Sequence, residues 1–197
     1  AVLHHVMAQG PQPEVWRYGD GGSGISGVGA VLEEIVGSPR FEYALAREVA
    51  RPTLRLHQAG WGGTVRQVGL TTHLAEDRPA PWDGGRRLDI YYQAADCRPL
   101  SRANRKTGRS AILKAREGRR MVRALDADLE IARLLRPRRI VIETGHELAT
   151  GTGAARECWR QLERGLAKVP GYRWSYTVVD PVADLASTAE RRRLWVM

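Results

Sequence analysis

Glu143 closes a β-branched run, Ile140-Val141-Ile142, and is followed by Thr144-Gly145-His146-Glu147 and then Gly151-Thr152-Gly153. The pattern predicts a short buried strand, a glycine- and threonine-rich loop, and the start of a helix. In open α/β sheets, ligands bind at the carboxyl ends of strands, so a carboxylate there is placed for chemistry. His146 could take or pass a proton beside it. Further acids qualify by position. Asp20 ends a strand-like stretch just before Gly21-Gly22, Asp89 falls on the polar face of an alternating stretch, and Glu190 ends Ser187-Thr188-Ala189-Glu190. Each also has a plainer reading. Glu143 would pair with Arg138 or Arg139, Asp20 would sit in a turn, and Asp89 would face solvent. Glu190 would be the acid of a capping box, and His146 an inert loop histidine.

Gly22-Ser23-Gly24-Ile25-Ser26-Gly27 fits the pattern G-x-G-x-x-G. A dinucleotide site needs this motif inside a βαβ unit, with an acid about 20 residues further on. The stretch from Phe41 to Ala50 reads as helix, so that context is missing and a tightly turning glycine loop is expected. Cys97 and Cys158 have no paired spacing, which argues against both a disulfide scaffold and a zinc site. A reducing, cytoplasmic or other intracellular setting follows.

The charge is informative. There are 31 Lys and Arg against 22 Asp and Glu, a net +9, and arginine supplies nearly all of the excess. Its planar fork grips phosphate at two points. Residues 98–110 form a basic linker carrying Arg102, Arg105, Lys106 and Arg109. A helix is expected over 111–135, with Lys114, Arg116, Arg119, Arg120 and Arg123 in its first half. Positive charge there opposes the helix dipole, as it would where the side chains serve a partner anion. The partner expected is DNA or RNA. No apolar run of about 18 residues occurs, so no membrane span is expected.

The length fits a single domain over 1–197, with 1–52 as an N-terminal extension or insertion. Residues 1–13 read as irregular, Glu14 to Tyr18 as a strand, and Val28 to Val36 as a helix. Thr53 to Gln58, Thr64 to His73 and Arg87 to Ala95 read as antiparallel strands. A helix from Thr152 or Gly153, a strand over Tyr172 to Val178 and a last helix from Ser187 complete the order. The fold class is therefore α/β: a mixed sheet with antiparallel N-terminal strands, followed by alternating helices and strands.

That order is similar to the ribonuclease H-like fold, most clearly over 111–197. Leu-Leu-Arg-Pro-Arg-Arg-Ile-Val-Ile-Glu (134–143) resembles the helix-to-strand passage of RuvC-type nucleases, where a glutamate closes the fourth strand. The resemblance implies a hydrolase that cuts phosphodiesters with two Mg²⁺ or Mn²⁺ ions held by carboxylates. Glu143 would be one ligand, Asp20 or Asp89 another, Glu190 on the last helix a third, and Asp184 a fourth candidate. The RuvC-type Asp-Pro-Gly signature is absent. The alternative is a non-catalytic, basic nucleic-acid-binding subunit of a virion or nucleoprotein, with self-association or a larger assembly. A small-molecule enzyme using the glycine loops for phosphate is a third reading.

Overall fold

The structure, a computed structural model, describes residues 2–21, 26–48, 51–61, 65–67, 87–94, 126, 129–130, 133–150, 154–180 and 192–197. Seven strands form one sheet in the order β3-β2-β1-β4-β5-β7-β6. The chain divides into two compact units, Ala1–Ala94 with Glu130–Val141, and Ala95–Leu129 with Ile142–Met197.

In the first unit, α1 (Val2–Ala8) precedes β1 (Trp16–Gly21), α2 (Gly27–Val36) and β2 (Phe41–Glu48). Then follow α3 (Arg51–Trp61), β3 (Val65–Gln67) and β4 (Ile90–Ala94). β1 pairs in parallel with both β2 and β4, and β2 pairs in parallel with β3. All six residues of β1 are buried, as a parallel strand covered on both faces must be. β5 (Arg139–Gly145) starts beside β4, where the Arg138 and Arg139 amides donate to the carbonyls of Leu88 and Asp89. The Arg139 guanidinium lies 5.1 Å over the Trp16 ring and donates to the Gln9 carbonyl. On one side of β1 and β2 an aromatic layer joins Tyr18, Phe41, Tyr43, His57 and Trp61, with ring centroids 4.9–6.4 Å apart.

In the second unit, the end of β5 pairs antiparallel with β7 (Arg193–Val196), which pairs antiparallel with β6 (Tyr176–Val179). Between them lie α4 (Glu147–Thr150) and α5 (Ala154–Ala167). Cys158, Leu162 and Leu166 form the buried stripe of α5 at four-residue spacing. The Trp174 indole N–H donates to the Leu166 carbonyl at 3.0 Å, tying the approach to β6 onto α5.

The mixed α/β sheet is as expected, but its pairing is not. The N-terminal strands are parallel, and the antiparallel ones are β6 and β7. Phe-Glu-Tyr-Ala-Leu-Ala-Arg-Glu, rich in helix formers, is the strand β2, because its position between β1 and β3 overrides local propensity. Pro52 does not stop a helix; it lies in the first turn of α3, where proline's missing N–H costs nothing. Residues 2–8, expected to be irregular, are helical. Described residues 193–196 form a strand where a final helix was expected to run, while its proposed start at Ser187 lies outside the described residues.

Candidate active site

β1 ends on Gly19-Asp20-Gly21, and side chains of β4 lie against the last glycine. A β-carbon on Gly21 would come within 1.9 Å of Gln93 Oε1 and 2.8 Å of the Tyr91 hydroxyl oxygen. In the first turn of α2, a β-carbon on Gly29 would lie 2.6 Å from Ser26 Oγ and 3.2 Å from Tyr18 Cε1. Bare backbone at these two points lets β4 and α2 close onto the end of β1.

Asp20 sits in this cradle and is 1% exposed. Its Oδ2 accepts hydrogen bonds from the Ser26 hydroxyl at 2.6 Å and the Tyr18 hydroxyl at 3.0 Å. The Tyr43 hydroxyl and His57 face the same carboxylate. Neither Asp20 Oδ1 nor the Tyr43 hydroxyl completes a hydrogen bond of standard geometry among the described residues. Burial pushes the Asp20 carboxyl up to about 6, opposed by the hydroxyls of Ser26, Tyr43 and Tyr18 and by the field of His57. Burial, and then the Asp20 charge, raises both tyrosine hydroxyls well above their ordinary range, so they remain donors.

Ser26 is the N-cap of α2 and adopts a left-handed backbone, φ 56° and ψ 57°. Its side chain makes no capping bond to the helix, because the hydroxyl is committed to Asp20. The first-turn amides of α2 therefore have no acceptor from their own cap residue.

The described acids expected to hold metal ions are each engaged by other partners. Asp89 precedes β4 and accepts from the Arg17 amide at 3.0 Å, with Arg138 Nε 3.4 Å away. In the β1–β4 register Tyr18 faces Ile90 and Asp20 faces Tyr92. Asp89 and Asp20 are thus three residues apart along parallel strands, about 10 Å. Glu143 pairs with Arg193 of β7. His146 Nδ1 lies 3.3 Å from Glu147 Oε2. Asp184 and Glu190 fall outside the described residues, as do Arg102, Arg105, Lys106, Arg109, Lys114, Arg116, Arg119, Arg120 and Arg123. Among the described residues no three His, Cys, Asp or Glu side chains group as a metal site. The Mg²⁺ or Mn²⁺ expectation is corrected accordingly: Asp89 is bound into the start of the sheet and Glu143 is matched by a guanidinium.

Sequence reasoning missed Ser26, Tyr18, Tyr43 and His57. The glycine motif was visible, but its context was not. With β2 a parallel strand, the motif lies inside a βαβ unit after all, and β2 closes on Glu48, 21 residues after Gly27.

No family model matches the sequence, and no curated protein matches it. Solved structures do match. The Dnmt2 methyltransferase of S. pombe superposes with a TM-score of 0.57 at 15% identity, over 92% of this chain and 48% of that one. The Entamoeba histolytica methyltransferase EhMeth gives 0.57 at 12% identity, over 94% and 53%. LepI in complex with SAM gives 0.50 at 16% identity, over 98% and 46%. The chain spans about half the length of these proteins. At such identities the likeness shows a shared fold, the one these proteins carry. It overturns the resemblance to ribonuclease H-like and RuvC-type nucleases, and with it the reading as a metal-dependent hydrolase. It gives no support to a non-catalytic virion or nucleoprotein subunit either. No helix among the described residues is long and apolar enough to cross a membrane.

Proposed function

We propose that this chain binds S-adenosylmethionine on β1–α2–β2 and directs methyl transfer to a base of DNA or RNA. The observation that carries the reading is Asp20, a buried carboxylate with one oxygen that completes no hydrogen bond of standard geometry among the described residues, held at the end of β1 beside the unfilled cap of α2. An α-amino acid zwitterion needs an acceptor for its ammonium and donors for its carboxylate. Asp20 Oδ1 and the first-turn amides of α2 offer that pair. Glu48, closing β2, is the residue type that accepts from ribose hydroxyls at this place in a βαβ unit. When bound, S-adenosylmethionine supplies an electrophilic methyl group on a cationic sulfur. The matched structures add support: two are described as methyltransferases, and LepI was solved with SAM and with SAH.

In the second unit, Glu143 and Arg193 present a carboxylate and a guanidinium from adjacent antiparallel strands. One accepts and the other donates, and the edge of a base offers both kinds of partner. The cationic side chains between Arg102 and Arg123 would track the phosphates. Transfer to a ring carbon would also need a nucleophile to break the aromaticity of the base. Of the two cysteines, Cys158 is buried and its thiol is pushed up by that burial, so it is a poor thiolate. Cys97, three residues beyond β4 in the chain and outside the described residues, is the thiol we propose for that step.

Titration calorimetry with S-adenosylmethionine and S-adenosylhomocysteine, followed by transfer of labelled methyl to DNA and RNA, tests the reading. Saturable binding, with incorporation abolished in Asp20→Ala, is expected. No binding of either ligand overturns it. Cys97→Ser should keep binding S-adenosylhomocysteine and lose methyl transfer; full transfer by that variant would move the acceptor from a ring carbon to a nitrogen.

A further inference from the structure

We infer that Ser26 is a positioning residue, whose hydroxyl turns away from its own helix to clamp Asp20, fixing the carboxylate for a ligand and leaving the N-terminus of α2 without a side-chain cap. The inference rests on the cofactor reading above and goes beyond it in naming what shapes that site. Three observations meet at this residue. Ser26 holds φ 56° and ψ 57°, a left-handed conformation in which a serine is strained and a glycine is not. A glycine would fit the backbone better, so the side chain must do something glycine cannot. That something is visible: the hydroxyl donates to Asp20 Oδ2 at 2.6 Å, and the helix it precedes has no side-chain cap.

The second oxygen, Oδ1, is buried and completes no hydrogen bond of standard geometry among the described residues, although the Tyr43 hydroxyl faces the carboxylate. A buried carboxylate oxygen without a donor is costly unless a ligand supplies one. Gly29 completes the arrangement, since a β-carbon there would press on Ser26 Oγ at 2.6 Å and displace it. Tyr18 shares Oδ2 from the β1 side, while Tyr43 of β2 and His57 of α3 face the same carboxylate, so Ser26 is its contact from the ligand-binding helix.

Ser26→Gly and Ser26→Ala separate the side chain from the backbone. Both remove the clamp, but only alanine keeps the left-handed strain. Alanine should therefore be the less stable of the two by thermal melting. Both should bind S-adenosylhomocysteine more weakly by at least about tenfold, the effect of losing one hydrogen bond to a charged group. Calorimetry well below either melting temperature reads this directly. A merely structural serine would make affinity follow stability, with glycine close to wild type. Wild-type affinity in Ser26→Gly overturns the inference and leaves the cofactor reading standing. Absence of binding by the wild-type protein overturns both.

Discussion

Asp20 carries the clearest cost of the site. Its carboxyl moves from an ordinary 3.8 to about 6 because burial disfavours the charge more than its hydroxyl partners restore it. The folded protein therefore holds this proton more tightly than the unfolded chain. Stability from this group is greatest below about pH 4, falls as pH rises to about 6, and is flat above. The loss is on the order of 3 kcal/mol. Asp20→Asn removes the charge and keeps an acceptor. Melting curves at pH 5 and pH 8 should show the variant more stable than wild type, by a wider margin at pH 8, while S-adenosylhomocysteine binding falls. A variant less stable than wild type at pH 8 would show that the carboxylate is well compensated. Asp89 is the contrast. It is buried but satisfied by the Arg17 amide and Arg138. Asp89→Ala should cost about 2–4 kcal/mol in urea unfolding, since it strands a buried donor and uncouples the start of β4.

At the scale of elements, the site depends on how closely α2 meets β1. Gly27 and Gly29 are both in the first turn of α2, yet they answer to different surroundings. A β-carbon on Gly27 meets nothing within 4 Å, whereas on Gly29 it meets a hydroxyl already fixed to Asp20. Gly27→Ala should be neutral or stabilising by up to about 1 kcal/mol, through helix propensity. Gly29→Ala should cost about 1–3 kcal/mol by overpacking and should weaken S-adenosylhomocysteine binding as well. Urea midpoints and calorimetry on the two variants check this, and equal behaviour would show that α2 can shift without consequence. Across the sheet, Arg17 of β1 makes a two-point ion pair with Glu42 of β2, with both contacts at 2.9 Å. That pair sets the β1–β2 register at the end of the strands remote from Asp20.

For the whole molecule, a net charge of +9 concentrated in arginine sets how it should meet its partner. Affinity for DNA or RNA should fall steeply with salt, as expected when several phosphates are neutralised. Fluorescence anisotropy between low and physiological ionic strength reads the slope, and a flat response would remove the tract from Arg102 to Arg123 from the interface. Glu143→Gln should leave that binding intact and suppress methyl transfer. Equal loss of both would mean that Glu143 only anchors β7 through Arg193.

Several features were legible in the residues themselves. The Ile-Val-Ile run predicted β5, the helix expected over Val28 to Val36 is α2, and the one expected from Thr152 or Gly153 is α5. These signals are local: a buried run and a helical pattern each announce themselves within a dozen residues. Composition likewise determined the basic, arginine-dominated character of the chain. The tertiary structure decided the rest. Phe41–Glu48 reads as helix until a sheet claims it on both edges, and Thr53–Gln58 alternates like a strand yet lies in α3. Parallel pairing joins residues far apart in the chain, so no local period reports it. The setting of Asp20 is of the same kind. Its hydroxyl partners come from β1, the cap of α2 and β2, with the field of His57 from α3, and only their convergence turns a common glycine-turn aspartate into a buried carboxylate.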